Sequence, residues 1–227
     1  MIINMNIFLC ILCFAAMAAI PYLLCGVNSA IIVTKIKTGK DIRTMGSGNA
    51  GLTNTLRTQG KLAALFVLIG DILKGVLSIL LVHFLFRLFL GIDTYSMTEG
   101  YSWINYCSGV FAVLGHIYPV FYGFKGGKGI LVTFAVMLTI DAVPALLLLG
   151  IFGIVTALTR YVSLGSVIAA ALYPFTVLAF SLMEGNVCAW ADFAFSAGIA
   201  FLLIFMHRAN LKRLKNHMEK KLGEKSS

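Results

Sequence analysis

Hydrophobic residues form seven long runs that are separated by short polar segments. The runs cover about 6–28, 62–86, 103–122, 130–141, 143–159, 161–182 and 189–206. Most contain the roughly 20 residues that a helix needs to cross a bilayer. The fourth run is shorter, and Asp141 and Pro144 mark a turn between it and the fifth. The pattern predicts an all-α integral membrane protein with about seven transmembrane helices.

Composition supports a membrane protein and excludes a soluble one. Hydrophobic residues make up 59% of the 227 residues and charged residues only 12%, whereas a soluble domain is about one quarter charged. The spans leave no room for a separate domain, so we expect one membrane-embedded domain over 1–227, with 207–227 as a basic cytoplasmic tail. Because no basic residue precedes Lys35, the first run is expected to be a retained span and not a signal peptide.

The positions of the charges predict the orientation. With the N-terminus placed outside, 16 of the 18 lysines and arginines fall on the inner side, which is the asymmetry of the positive-inside rule. These cations are Lys35, Lys37, Lys40, Arg43, Arg57, Lys61, Lys125, Lys128, Arg160, Arg208, Lys212, Arg213, Lys215, Lys220, Lys221 and Lys225. We therefore expect an outside N-terminus and a cytoplasmic C-terminus. We attribute the net charge of +9 to the orientation of the spans and to the binding of anionic ligands or lipid headgroups, and not to the binding of nucleic acid.

The five cysteines lie within the predicted spans or close to their ends. They are Cys10, Cys13, Cys25, Cys107 and Cys188. The C-x-x-C spacing of Cys10 and Cys13 falls in an apolar helix, without the surroundings of a redox or metal site. We interpret them as small packing residues and expect no metal.

The first inner segment, 43–57, combines glycines with polar side chains. Gly46, Gly48 and Gly51 match G-x-G-x-x-G, but a membrane span precedes them where a dinucleotide fold needs a strand. Glycines still let backbone N–H groups approach an anion, and a following helix start adds further N–H groups. The side chains that could join them are Ser47, Asn49, Thr53, Asn54 and Arg57. Anion binding is favoured over a merely flexible loop.

The second inner segment, 115–129, places two lysines in a glycine run. It is not a P-loop, because Tyr122 stands where the first glycine is needed and no Ser or Thr follows Lys128. The run still predicts an anion-binding nest. Its candidate residues are Lys125, Gly126, Gly127 and Lys128, with His116 at the inner end of the third span as a weaker candidate.

The third inner segment begins at the end of the last span. His207 and Asn210 are three residues apart, so a helix would place both on one face. On its own, this segment would be a basic flank of the span. Together with the other two segments, it is a candidate part of one site.

Asp71 and Lys74 lie inside the second span at positions i and i+3. Charges in lipid are costly, so we expect the two side chains to face the bundle and to pair. A helix clamp is favoured over a transport relay, because no other charge within a span continues a relay.

Together, these segments resemble the bacterial acyl-phosphate:glycerol-3-phosphate acyltransferase family, the PlsY type. The similarity is ordered along the chain, in Gly46–Arg57, Asp71–Gly75, Gly115–Gly129, Arg160–Ser166 and His207–Arg213. It implies transfer of a fatty acyl group from acyl phosphate to the 1-hydroxyl of glycerol 3-phosphate, giving lysophosphatidic acid and phosphate in phospholipid biosynthesis. It also implies an inner-membrane enzyme with a cytoplasmic site, no cofactor, and a functional link to an enzyme that makes acyl phosphate.

The resemblance also assigns roles to residues. It implies catalytic roles for Ser47, His207 and Asn210, and substrate binding by Arg57, Lys128, Gly126 and Gly127. The sequence departs from the family pattern at Leu52, Leu131 and Ala209, where alanine, alanine and glutamate are common.

Several alternatives stay open at this point. Either His207 or a substrate phosphate could accept the hydroxyl proton, and Ser47 could form an acyl-enzyme, although no histidine–carboxylate relay is evident in the sequence. Two other function classes are a small-anion transporter, suggested by Asp71 and Lys74, and a non-catalytic lipid-binding protein or scaffold.

Overall fold

The computed structural model describes residues 7–224, which form a bundle of helices with no strand in that range. Lys225 and the first six residues lie outside the described part. The helices are α1 Ile7–Gly26, α2 Ser29–Thr38, α3 Leu52–Gln59, α4 Lys61–Leu90, α5 Trp103–Ile117, α6 Ile130–Ile140, α7 Ala142–Thr159, α8 Val162–Met183, α9 Ala189–Met206 and α10 Arg208–Lys215. Each of the seven predicted runs corresponds to one helix, with ends that differ by at most five residues, so the all-α membrane fold is confirmed.

Six helical segments within the described range are long and apolar enough to cross a membrane. The exception among the seven runs is α6, which has only 11 residues. It is largely buried and packs against α4, α5 and α7. Neighbouring helices therefore cover α6, which is how a short apolar helix can be kept within a membrane protein. Leucines and phenylalanines on the outer faces of α4, α7 and α9 are exposed, as lipid contact requires.

Helix α2 was not predicted as a separate element. Asn28 interrupts the first helix, and its side chain accepts a hydrogen bond from Ile31 N at 3.0 Å, which caps the new helix. Only the first part of the basic tail is helical, because α10 ends at Lys215 and His217 follows with φ +55°.

The segment after α10 folds back across the start of α8. Leu222 N donates to Arg160 O at 2.7 Å, and Arg160 Nη2 donates to Leu222 O at 3.0 Å. Lys220 O in this segment accepts from Arg57 at 3.4 Å, and Arg43 in turn donates to Lys125 O. The segment after α10 therefore meets segments 39–60 and 123–129 at one end of the bundle, which we call the basic end.

Candidate active site

A cavity of about 920 Å³ opens at the basic end and extends into the bundle. Nine of the eleven predicted site residues line it, namely Ser47, Asn49, Asn54, Arg57, His116, Gly126, Lys128, His207 and Asn210. Lys125 and Gly127 do not line it. The Lys125 side chain is exposed, and Gly127 is buried behind His116. The cavity therefore gathers residues from all three inner segments.

Asn54, which is only 2% exposed, holds the first loop in shape. Its Nδ2 donates to Met45 O and to Asn49 O, each at 3.0 Å, and its Oδ1 accepts from Ser47 N at 3.0 Å. Gly46 has φ +55°, and a Cβ there would overlap Asn54 Oδ1. Since both ends of its amide are used within the loop, Asn54 positions Ser47 and is not a free donor for substrate.

Arg43 joins the first loop to the second, a role that sequence reasoning missed. Its guanidinium pairs with Asp41 at 2.7 Å and donates to Tyr122 O at 2.7 Å and to Lys125 O at 3.0 Å. The hydrogen bonds from Arg43 hold the pKa of Asp41 below its ordinary value. The Asp-x-Arg spacing was the available signal, but the distant carbonyl partners could not be read from it.

The glycines of the second loop differ from the expected nest. Gly126 N donates to Ile117 O at 3.0 Å and Gly127 N donates to His116 O at 3.1 Å, so neither amide is available to an anion. A Cβ on Gly126 would overlap the carbonyl of His116, and a Cβ on Gly127 would overlap its ring. The glycines therefore let the loop pack tightly on the end of α5, which directs Lys128 into the cavity.

Asn210 and Glu219 hold the polar groups of the cavity in a fixed arrangement. Lys128 Nζ donates to Asn210 Oδ1, and Asn210 Nδ2 donates to Glu219 Oε1 at 2.6 Å. Ser163 Oγ donates to the same carboxylate at 2.8 Å, and Arg213 Nε does so at 2.7 Å. Burial acts to raise the pKa of Glu219, but these hydrogen bonds hold it below its ordinary value. Sequence reasoning missed Glu219, although a carboxylate in so basic a tail was a signal.

Burial and neighbouring cations shift two of the cavity's titratable groups. Burial, assisted by Arg213 and Arg57 and opposed by Glu219, lowers the pKa of Lys128 to about 8. Burial and the Lys128 ammonium lower the pKa of His207 to about 4. His207 is therefore neutral near pH 7. Its Nδ1 lies 2.8 Å from Leu203 O, and a carbonyl can only accept, so Nδ1 carries the hydrogen and Nε2 is left as an acceptor.

Ser47 and Arg57 are the groups best placed to meet a ligand from the first loop. The Ser47 hydroxyl is exposed and has no hydrogen-bond partner within residues 7–224. Arg57, on α3, makes one long contact from Nη2 to Lys220 O at 3.4 Å. Both line the same cavity as Lys128, and Arg57 is near enough to that amine to contribute to the lowering of its pKa, so an anion in the cavity mouth could meet both cations and Ser47.

The predicted pairing of Asp71 and Lys74 is confirmed. Lys74 Nζ lies 2.8 Å from Asp71 Oδ1 and 3.0 Å from His116 Nδ1, and it donates to Val27 O at 2.9 Å. Ser29 Oγ donates to Asp71 at 2.8 Å. His116 thus has Lys74 on one side and Gly127 on the other. This network ties α4 and α5 to the start of α2 and to Val27 just before it, beneath the second loop, as a helix clamp would.

The inner part of the cavity is apolar. Its walls come from four helices and include Leu68, Ile72, Leu131, Phe134, Leu148 and Phe152. One continuous space therefore joins a cationic mouth to an apolar arm. Within the described residues, no group of three or more His, Cys, Asp or Glu side chains is arranged to hold a metal ion.

The chain is similar in sequence to proteins of one family. A protein of Clostridioides difficile named glycerol-3-phosphate acyltransferase is 41% identical over 208 residues, which is 92% of this chain and 95% of that protein. A Thermoanaerobacter protein of the same name is 40% identical over 212 residues, covering 92% of this chain and 96% of the relative.

Solved structures show the same fold. The crystal structure of PlsY (YgiH), an integral membrane glycerol 3-phosphate acyltransferase in its glycerol 3-phosphate form, superposes with a TM-score of 0.76 at 30% identity. That match covers 92% of this chain and 96% of PlsY. The lysophosphatidic acid form gives a TM-score of 0.73 at 29% identity, covering 92% of this chain and 95% of PlsY. The family model described as glycerol-3-phosphate acyltransferase matches residues 15–217, and the chain therefore belongs to the glycerol-3-phosphate acyltransferase family of integral membrane enzymes.

Proposed function

We propose that this enzyme takes its acyl group from acyl phosphate and transfers it to the 1-hydroxyl of glycerol 3-phosphate. The proposal rests on one observation: one continuous cavity has both a cationic mouth, which suits phosphate groups, and an apolar arm, which suits an acyl chain. The related PlsY structures are described as glycerol 3-phosphate and lysophosphatidic acid forms, which are one substrate and one product of such a transfer.

The reaction is a direct acyl transfer between two oxygens. The 1-hydroxyl oxygen attacks the acyl carbon and forms the ester bond, while the bond from that carbon to the phosphate oxygen breaks. The phosphate leaves with the electron pair of the broken bond, and one of its oxygens takes the hydroxyl proton. Acyl phosphate is an activated mixed anhydride, so the protein has mainly to align the two substrates and stabilise the charge.

The arrangement of the cavity suggests a role for each polar group. Arg57 and Lys128 offset the repulsion between the two phosphate groups, since charge-assisted hydrogen bonds to phosphate are strong. Ser47 positions the substrates directly, and Asn210 does so by holding Lys128 in place. His207 offers Nε2 as an acceptor that orients the attacking hydroxyl. With its pKa near 4, His207 is a weak base, so the phosphate oxygen is the better proton acceptor.

We further propose that the basic end faces the cytoplasm of a bacterial inner membrane. The cations in the loops and in the 207–227 tail support this orientation through the positive-inside rule. The N-terminus then lies outside, with α6 counted as the short seventh span.

The acyl phosphate donor must be supplied by another enzyme, one that attaches acyl groups to phosphate. The acyl chain would enter the arm sideways from the lipid.

The test is turnover by the purified protein in detergent. Wild-type protein supplied with glycerol 3-phosphate and palmitoyl phosphate should release lysophosphatidic acid and phosphate without a sealed compartment. Lys128→Ala should lower kcat/KM by about 100-fold, because it removes a charged hydrogen-bond donor worth roughly 2–3 kcal/mol. Lys125→Ala is the matched control, since Lys125 lies in the same loop but outside the cavity; it should change kcat/KM by less than threefold.

Two results would contradict the proposal. One is a wild-type protein that binds glycerol 3-phosphate but makes no product from palmitoyl phosphate. The other is anion flux into liposomes without any turnover, as a transporter would give. No transport path is needed to explain Asp71 and Lys74, because Ser29, His116 and Val27 O already satisfy them.

A further inference from the structure

The apolar arm ends within the bundle. From Ser163 at the polar mouth, the cavity wall on α8 continues through Ala169 and Ala170 and stops at Tyr173. On α6 the wall runs from Ile130 to Met137. No lining residue on either helix lies deeper than these two, and the wall on α7 reaches Ala145 at the same end. We call Met137 and Tyr173, at this end of the arm, the floor.

The depth of the arm matches one acyl chain. Ser163 and Tyr173 are ten residues apart on one helix, which corresponds to about 15 Å at 1.5 Å per residue. The hydrocarbon core of a bilayer is about 30 Å thick and consists of two layers of tails, so one tail spans about 15 Å. An acyl chain of ordinary membrane length, with its phosphate at the mouth, would therefore reach the floor.

The floor is tightly packed. Tyr173 is 1% exposed and Met137 is 7% exposed, and both belong to the main hydrophobic core. Beyond them, Tyr106, Ile140, Asp141, Pro144 and Val177 surround a gap that is too narrow for a water molecule. A longer chain could not extend further without moving these side chains, and interiors packed in this way resist such movement.

We propose that Met137 and Tyr173 set the upper limit of acyl-chain length for this enzyme. The inference rests on the proposed function, because it assumes that the acyl phosphate tail occupies the arm. Met137 is the more adaptable of the two, since an unbranched thioether side chain has several rotamers. The Tyr173 side chain is a rigid ring. We therefore expect Tyr173 on α8 to exclude longer acyl chains strictly, and Met137 on α6 to yield to them more easily.

Two variants test the limit from opposite sides. Met137→Ala should lengthen the arm, and kcat/KM for acyl phosphates two carbons longer than the wild-type optimum should rise about tenfold relative to the optimum. Ala169→Leu should narrow the arm above the floor, and it should lower kcat/KM for chains of 16 carbons or more by about tenfold relative to a 12-carbon chain. The measurement is kcat/KM for saturated acyl phosphates from 10 to 20 carbons.

The matched controls lie on the outside of the bundle. Met183→Ala and Ala171→Leu make the same chemical changes at exposed positions of α8, and both should keep the wild-type chain-length profile. Thermal melting in detergent and the KM for glycerol 3-phosphate check that each variant folds with an intact mouth. If Met137→Ala does not fold, Ala169→Leu still decides the question.

The outcomes separate the inference from the function on which it rests. A wild-type protein that is inactive with every acyl phosphate overturns the proposed function. If the wild-type protein is active but folded Ala169→Leu or Met137→Ala protein keeps the wild-type chain-length profile, only the role of the floor in limiting chain length is overturned. That second result would mean that the acyl tail lies in the surrounding lipid and not in the arm.

Discussion

At the residue scale, burial in the cavity makes the charge of Lys128 sensitive to pH near the physiological range. Its pKa is lowered to about 8, and only the protonated amine attracts phosphate. As the pH rises through 8, free enzyme loses this charge, so we expect kcat/KM for glycerol 3-phosphate to fall on the alkaline side of about pH 8. The measurement is a pH profile of kcat/KM, which reports groups of the free enzyme.

The control for this profile is an arginine at the same position. Lys128→Arg keeps a charge that does not titrate below about pH 12, so any activity that remains should show no decline near pH 8. An alkaline decline that persists in Lys128→Arg would assign the titration to another group and contradict the pKa given to Lys128.

His207 gives a second prediction at the residue scale, because its tautomer is fixed by Leu203 O. If Nε2 acts as a hydrogen-bond acceptor and not as the base, glutamine should replace it in part. We expect His207→Gln to keep at least a tenth of wild-type kcat and His207→Ala to lose about 100-fold, as for the loss of one preorganised hydrogen-bonding group in an active site. The measurement is kcat with both substrates saturating.

A different result for His207 would restore it as the proton acceptor. In that case glutamine would be as inactive as alanine, and wild-type kcat/KM would show an acidic decline near pH 6–7 that both variants lack. A pKa near 4 for His207 predicts no such decline from this residue.

At the element scale, the segment after α10 contains a strained position. His217 has φ +55°, a left-handed conformation that costs a residue with a Cβ about 1–2 kcal/mol. His217→Gly should therefore stabilise the fold by about 1 kcal/mol, a rise in Tm of about 2–4 °C for a chain of this size. The measurement is thermal unfolding in one detergent at one protein concentration.

Asn216 is the matched control for that substitution. It precedes His217 and has φ −93°, so glycine there relieves no strain and only adds freedom to the unfolded chain. Asn216→Gly should lower Tm or leave it unchanged. If His217→Gly lowers Tm by the same amount, the turn between α10 and Glu219 is not strained at His217.

At the scale of the whole molecule, the prediction concerns the sidedness of the bundle. The basic end should face the cytoplasm, and the loop 91–102 should face outside. In a Cys188→Ser background, which removes the half-buried thiol of the opposite end, Thr98→Cys should react with an impermeant maleimide on intact spheroplasts. Lys215→Cys should react only after the membrane is opened. Both positions are exposed, so accessibility of the side chain does not distinguish them.

The reverse labelling pattern would invert the topology and place the cavity mouth on the outer face. Labelling of both positions in intact spheroplasts would mean that the membrane was leaky, and a cytoplasmic protein should be labelled in parallel to detect this. The all-α fold and the family do not depend on the outcome.

Hydrophobic patterning determined the helices, because a span needs a continuous apolar run and its ends are marked by charge. The pairing of Asp71 with Lys74 could also be predicted, since both lie on one helix and lipid makes an unpaired charge costly. Nine residues that line the cavity could be predicted because they are polar or glycine residues in the three short segments at the basic ends of the spans.

Only the tertiary structure decided which of these residues are free to act. Asn54 and the amides of Gly126 and Gly127 are used in holding the loops, and Lys125 points away from the cavity. Arg43 was missed because its carbonyl partners, Tyr122 and Lys125, lie on another segment, far away in sequence. Glu219 was missed because its contacts with Asn210, Arg213 and Ser163 depend on how the chain folds back after α10. The floor at Met137 and Tyr173 likewise depends on how α6 and α8 approach each other. Local sequence fixes helix ends and charge positions, whereas the distances between helices arise from packing alone.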